Sequence, residues 1–243
     1  MSDEPVLRID GMSKSLGGVE VLSGVSISVP SGAVVAVIGP NGSGKTTLIR
    51  TLVGELRPTA GEITYLGPDT ERPIGYLPQE PTFRPGFTAA ETIAFYGSLV
   101  DEAEAEAVER LDAVGLGAAA DRRVEALSGG MQQLLGIAQA TIGDPPLVVL
   151  DEPASGLDPN MSESVFETAA ETVSESRTVL LSSHDLELIE GSADVVVVLT
   201  RGTVAASGAV TELRERFGVD SLRGVLNAVV ADTSRVTVVG GGG

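Results

Sequence analysis

The sequence predicts an α/β fold built on a parallel sheet, and three segments carry that expectation. The apolar run Ala33-Val34-Val35-Ala36-Val37-Ile38 reads as a strand buried on both faces, and GPNGSGKTT, Gly39 to Thr47, follows it at once. A helical stretch then runs from Lys45 to Val53 and stops at Gly54. A second apolar strand, Pro146-Leu147-Val148-Val149-Leu150, ends in Asp151-Glu152, and from 143 to 210 strand and helix patterns alternate as they do in parallel sheets.

The first segment has a chemistry of its own. Gly39, Gly44, Lys45 and Thr46 fall on the phosphate-loop pattern G-x-x-x-x-G-K-S/T, placed between a strand and a helix as that pattern requires. The glycines let successive backbone N–H groups turn inward toward phosphate oxygens, and the helix adds the positive end of its dipole. The whole loop, Gly39, Pro40, Asn41, Gly42, Ser43, Gly44, Lys45, Thr46 and Thr47, is therefore expected to cradle a nucleotide's phosphates. Lys45 reaches the β- and γ-phosphates and the Thr46 hydroxyl binds Mg²⁺ in such a site. The plainer alternative, a glycine-rich structural turn that carries a lysine, does not explain the strand and helix on either side.

At the second strand, two carboxylates stand at the carboxyl end of a parallel strand, where ligands bind in open α/β sheets. Asp151 is placed to hold Mg²⁺ and Glu152 to polarise an attacking water as general base. A surface acidic pair is the bland alternative. The third element is Leu127-Ser128-Gly129-Gly130-Met131-Gln132-Gln133, in which a serine, two glycines and a helix N-terminus form a second anion-binding arrangement. Ser128 also serves there as an ordinary N-cap.

With GPNGSGKTT, LSGGMQQ and VVLDEP in this order and spacing, the chain resembles the ATP-binding subunits of ABC transporters over about residues 5 to 210. The resemblance implies a phosphate-loop NTPase fold with a parallel core, N-terminal antiparallel strands and an inserted α-helical lobe. It implies ATP and Mg²⁺ as ligands. Gln79 in GYLPQEP resembles the Q-loop glutamine that contacts Mg²⁺ and water, Asp158 in SGLDP the D-loop aspartate that crosses a dimer interface, and His184 in SSHD the switch histidine near the γ-phosphate. Ser128, Gly129 and Gly130 resemble the signature that closes over ATP held by a second subunit. Three departures stand out: Leu16 where an aromatic residue normally stacks on adenine, Leu134 where an arginine is usual, and Met131 where glutamine is commoner.

The expected organisation is an ATPase domain over 5–215, with a helical lobe at about 80–142 that includes a helix from Asp101 to Val114, and a hairpin around Gly61 to Gly67. Residues 216–243 are expected to form a short, partly disordered extension ending in Gly240–Gly243. Tyr76, Phe83, Phe87, Phe95 and Tyr96 cluster around and after Gln79, where family members receive a helix of the membrane subunit; Phe83 and Phe87, flanked by Pro81 and Pro85, are the favoured contacts.

Composition narrows the partners. The net charge of −18 lacks the basic footprint of a nucleic-acid binder, so no direct nucleic acid contact is expected. Lysine is confined to Lys14 and Lys45, and an acidic, lysine-poor surface resembles proteins of high-salt cytoplasm, where screening removes self-repulsion. There is no cysteine, no secretory signal at MSDEPVLRID, and no apolar run approaching the roughly 20 residues of a membrane span. The expected location is peripheral, on the cytoplasmic face of the cell membrane. The expected partners are a separate transmembrane permease and a second ATPase subunit, in a homodimer or a heterodimer. The leading expectation is an exporter-type subunit that hydrolyses ATP to drive transport, with ADRRVEALSGGMQQLLGIAQA and GYLPQEPTF resembling ATPases of copper-related systems. A soluble ABC ATPase of DNA repair, translation or cofactor assembly is the alternative.

Overall fold

The computed structural model describes residues 4–103 and 105–239. The chain opens with β1 (Pro5–Leu16) and β2 (Val19–Pro30), joined by a tight turn, and then enters β3 (Val34–Ile38). The phosphate-loop segment follows and leads into α1 (Lys45–Leu52), β4 (Ala60–Tyr65) and β5 (Ile74–Leu77). A helical lobe contains α2 (Ala89–Gly97), α3 (Glu106–Ala113) and α4 (Gly129–Thr141). The chain returns through β6 (Leu147–Asp151), α5 (Pro159–Glu171), β7 (Thr178–Ser182), α6 (Leu186–Ser192), β8 (Val195–Thr200) and β9 (Thr203–Gly208). It ends in α7 (Val210–Phe217) and α8 (Leu222–Val239).

Two sheets result. The larger has the order β5-β6-β7-β3-β8-β9, parallel except for the antiparallel edge strand β9; the smaller is antiparallel, in the order β2-β1-β4. β3, β6 and β7 are buried along their whole length, which explains why they read as unbroken apolar runs rather than as alternating ones. Their side chains still divide by face. Val34, Ala36 and Ile38 pack with the helical lobe and the C-terminal helices, whereas Val35 and Val37 pack with α1 and the antiparallel sheet. One sheet thus separates two apolar cores.

The lobe is held together by charge as well as by packing. Arg110 of α3 donates from Nε to Glu102 at 2.8 Å and from Nη1 to the Thr141 carbonyl at 2.9 Å. α2 begins in a capping box, where the Thr88 hydroxyl accepts from Glu91 N and the Glu91 carboxylate accepts from Thr88 N.

Several expectations change. The segment from Gly61 to Gly67 is not a hairpin: β4 is a single strand paired with β1, because its partner is distant in sequence and invisible to local turn signals. The helix expected from Asp101 starts only at Glu106, since Asp101 adopts a left-handed φ of 58° that ends the preceding short turn. The segment after 215 carries α8, whose Leu222, Val225 and Val229 are buried in the core that also holds Leu186 and Ile189 of α6. Gly240–Gly243 lie outside the described residues.

Candidate nucleotide site

Four strand ends build the site. The phosphate loop follows β3, Gln79 stands two residues beyond β5, Asp151 closes β6 with Glu152 next to it, and His184 stands two residues beyond β7. β5, β6, β7 and β3 are successive neighbours and run parallel, so these residues share one edge of the sheet, the carboxyl edge where open α/β folds bind ligands. A cavity of about 760 Å³ lies there, lined by Gly39 to Thr47 and by Gln79, Glu152 and His184.

The loop shows why its residue types are needed. Gly44 has φ 105°, a conformation that side chains rarely adopt, and a Cβ there would stand 2.7 Å from Leu22 Cδ2. The turn is closed by Ser43 N donating to the Pro40 carbonyl at 3.1 Å. α1 then starts with no side-chain cap and no acidic residue in its first turn, leaving its N-terminal N–H groups and dipole to an anion. The buried Ser43 Oγ has no hydrogen-bond partner among the described residues, an orphan that a phosphate oxygen can satisfy. Lys45 Nζ donates to the Gly39 carbonyl at 3.0 Å and stands 3.3 Å from Glu152 Oε1.

Asp151 is 1 % exposed. Its Oδ1 accepts from Ser182 Oγ at 2.6 Å and from Thr46 Oγ1 at 3.5 Å. Burial holds its carboxyl above the usual carboxylate range; the two hydroxyls and Lys45 pull the other way, and Glu152 adds to the rise. A buried carboxylate facing a hydroxyl is a hard-oxygen pair; Thr46 and Gln79 line the cavity, whereas Asp151 is not among its walls. Mg²⁺ takes few protein ligands and completes its shell with water and phosphate oxygens, so Thr46, Asp151 and Gln79 fit that ion.

Glu152 adopts a left-handed backbone, φ 48°, which costs a non-glycine residue on the order of 1–3 kcal/mol and recurs at functional sites. Its surroundings fix it. Its N–H donates to Ser182 Oγ at 2.9 Å, Oε1 faces Lys45, and Oε2 accepts from His184 Nδ1 at 2.7 Å. Ser182 therefore orients both carboxylate residues, a role the sequence reading missed although the residue stands in the quoted SSHD motif. The His184 side chain is 61 % exposed and connects a buried carboxylate to the open cavity.

The signature residues are elsewhere. Ser128 and Gly129 are exposed at the start of α4, with the Ser128 hydroxyl accepting from Met131 N at 3.3 Å. Asp158 caps α5 in the same way, accepting from Met161 N at 3.2 Å. A Cβ at Gly130 would fall 2.1 Å from Met161 Cγ, so the small residue lets α4 and α5 meet closely. None of Ser128, Gly129, Gly130 and Asp158 lines the phosphate cavity. One residue links the regions: Gln133 of α4 donates from Nε2 to the Gln79 carbonyl at 3.0 Å. Leu134, in the place of the usual arginine, is buried in the lobe core. The cavity is also lined by Val21, Ser155, Leu186, Arg223 and Leu226, and Leu16 is not among its walls. Nothing in local sequence pattern signals that α8 returns to this edge.

Loop, acidic strand end and sheet together define a phosphate-loop nucleoside triphosphatase. Residues 22–155 match the ABC transporter family. The chain is 39% identical over 217 residues to an uncharacterized ABC transporter ATP-binding protein of Bacillus subtilis (strain 168), covering 87% of this chain and 73% of that one. It is 36% identical over 236 residues to the daunorubicin/doxorubicin resistance ATP-binding protein of Streptomyces peucetius, covering 92% and 72%. A solved ATP-binding subunit of an ABC transporter superposes with a TM-score of 0.81 at 29% identity, covering 93% of this chain and 99% of that one. The chain belongs to the ABC transporter family as an ATP-binding subunit, and its reaction is ATP hydrolysis coupled to transport.

Proposed function

We propose that this chain is the ATP-hydrolysing subunit of an exporter whose permease is a separate membrane protein, and that it works in a head-to-tail pair on the cytoplasmic face of the membrane. The observation that carries this reading is the separation of the two anion-binding elements. A phosphate cavity is complete on one edge of the sheet, while Ser128 and Gly130 stand outside it and need a nucleotide from elsewhere. Two chains meeting head to tail satisfy both. The drug-resistance relative supports export. Among the described residues no helix is long and apolar enough to cross a membrane, and the pore is assigned in this reading to the permease. The copper-related cargo gains no support from these relatives, and the soluble repair or translation alternative is not favoured.

Each residue has a role in this reading. The loop N–H groups and Lys45 bind the phosphates, and drawing Lys45 toward them loosens its pair with Glu152. Glu152 then accepts a proton from water as the water oxygen bonds to the γ-phosphorus and the bond to the β–γ bridging oxygen breaks, releasing ADP. His184 orients Glu152 through their hydrogen bond, and Gln79 positions the water. Thr46, Asp151 and Gln79 would hold Mg²⁺, which would supply charge neutralisation to the phosphates. Positioning and fixed charge supply most of the acceleration in such reactions.

The permease contact falls on the lobe. Phe87, Phe95 and Tyr96 form a chain of edge-to-face rings, with centroids 6.0 and 5.3 Å apart. Phe83 is half-buried against the core, while Phe95 and Leu99 are exposed, so the latter two replace Phe83 as the favoured contacts. The decisive experiment is size exclusion of Glu152→Gln with and without ATP, followed by recovery of the complex from host membranes. An ATP-dependent dimer bound to a multi-span protein is expected; a persistent monomer, or capture with soluble partners alone, would sink the reading.

A further inference from the structure

We infer that Arg223, on the C-terminal helix α8, is a second cationic ligand for the terminal phosphate of the bound nucleoside triphosphate, supplied by the same chain that carries the phosphate loop. The inference rests on the nucleotide reading above and adds a residue to it. Arg223 lines the phosphate cavity together with Leu226, one helical turn further on. Lys45 and Arg223 are the lysine and arginine side chains among the described cavity walls. Their situations differ. Lys45 is buried, bonded to the Gly39 carbonyl and paired with Glu152 at 3.3 Å. Arg223 is exposed, and its side chain makes no hydrogen bond or ion pair among the described residues.

Its placement is held by packing. Leu222, Val225 and Val229 put one face of α8 into the core at 0 %, 0 % and 4 % exposure, and α8 rests on α6, which begins two residues after His184. The adjacent face, with Arg223 and Leu226, is thereby directed at the cavity on its His184 side. A chain of net charge −18, with Glu152 in the cavity wall, offers a polyanion few attractive groups. A free guanidinium fixed at that wall answers the need, and its planar fork suits two phosphate oxygens at once. The outer phosphate is the one assigned, because α8 meets the cavity beside His184, which is bonded to Glu152, the base proposed for attack at the γ-phosphorus.

The test is displacement of trinitrophenyl-ATP by ATP and by ADP, with Mg²⁺ present, on the purified chain. Wild type, Arg223→Ala, Arg223→Lys and Lys45→Ala are compared, and melting temperatures check that the exposed Arg223 substitutions leave the fold intact. Arg223→Ala should weaken ATP about tenfold, the scale of one lost charge-assisted hydrogen bond, and leave ADP within about twofold. Arg223→Lys should recover part of the loss, and Lys45→Ala should weaken both nucleotides. Unchanged ATP affinity in Arg223→Ala, or equal weakening of ATP and ADP, overturns the assignment while the nucleotide site stands. Failure of the wild type to bind either nucleotide removes the nucleotide reading itself.

Discussion

The phosphate edge of the sheet and the exposed turn at Ser128 both present amides, hydroxyls and a helix N-terminus to an anion, yet they are built differently. At the sheet edge nearly every group is committed: Lys45 to Gly39 and Glu152, Asp151 to Ser182 and Thr46, Glu152 to His184. At the turn, Ser128 bonds among the described residues within its own helix start, and Gly129 faces solvent. Preorganisation stops where one chain's responsibility ends. In the function we propose, the first region binds and orients a nucleotide within one chain, whereas the second meets a nucleotide held by another molecule.

Four substitutions test that contrast, from the largest effect to the smallest. Lys45→Ala should reduce ATP hydrolysis to background in a phosphate-release assay. It should also lower unfolding stability by about 3 kcal/mol in urea, because it leaves the Glu152 carboxylate buried without its cation. Glu152→Gln should slow hydrolysis about 10²–10⁴-fold, the range for loss of a general base, while retaining ATP. Hydrolysis at the native rate would assign the base elsewhere. Ser128→Ala should leave ATP affinity of the monomer within about twofold and cost about 1 kcal/mol of stability as a lost N-cap. Dimer formation with ATP should weaken in this variant; weakened monomer affinity instead would erase the contrast between the two regions.

In folding stability, Asp151→Asn gives the smallest and most diagnostic change. Burial raises this carboxyl's pKa above its unfolded value, so the folded state binds the proton more readily and its stability falls as pH rises through the folded pKa. Removing the charge should therefore raise the melting temperature of the nucleotide-free protein, by about 2–4 °C for each kcal/mol relieved. The gain should be larger at pH 8 than at pH 4, and Mg²⁺-dependent hydrolysis should be lost. A variant less stable than wild type at pH 8 would show that the Ser182 and Thr46 hydroxyls outweigh the burial.

Much of this was legible because the informative signals are local. The strand-turn-helix around Gly39 to Thr47, the apolar strand before Asp151 and the cap at Ser128 each lie within a few residues, and the structure places those elements where the sequence put them. What escaped depends on distant pairing. Ser182 touches Asp151 because β7 lies beside β6, and β4 joins β1 across more than 40 residues of chain, relations that no window reports. Val-rich α8 carries its information in tertiary packing, since Leu222, Val225 and Val229 look unremarkable until α6 is beside them. The charge of Arg223 gains meaning only from that docking.

The close approach of Gly130 to Met161 has a mechanical consequence. Ser128 and Asp158 each cap a helix, and those two helices are locked together where the missing side chain admits the methionine. The two caps therefore form the tips of one rigid jaw. A tilt that carries one toward a neighbouring molecule carries the other by the same rotation, and a bulkier residue at 130 would spread the tips without touching either.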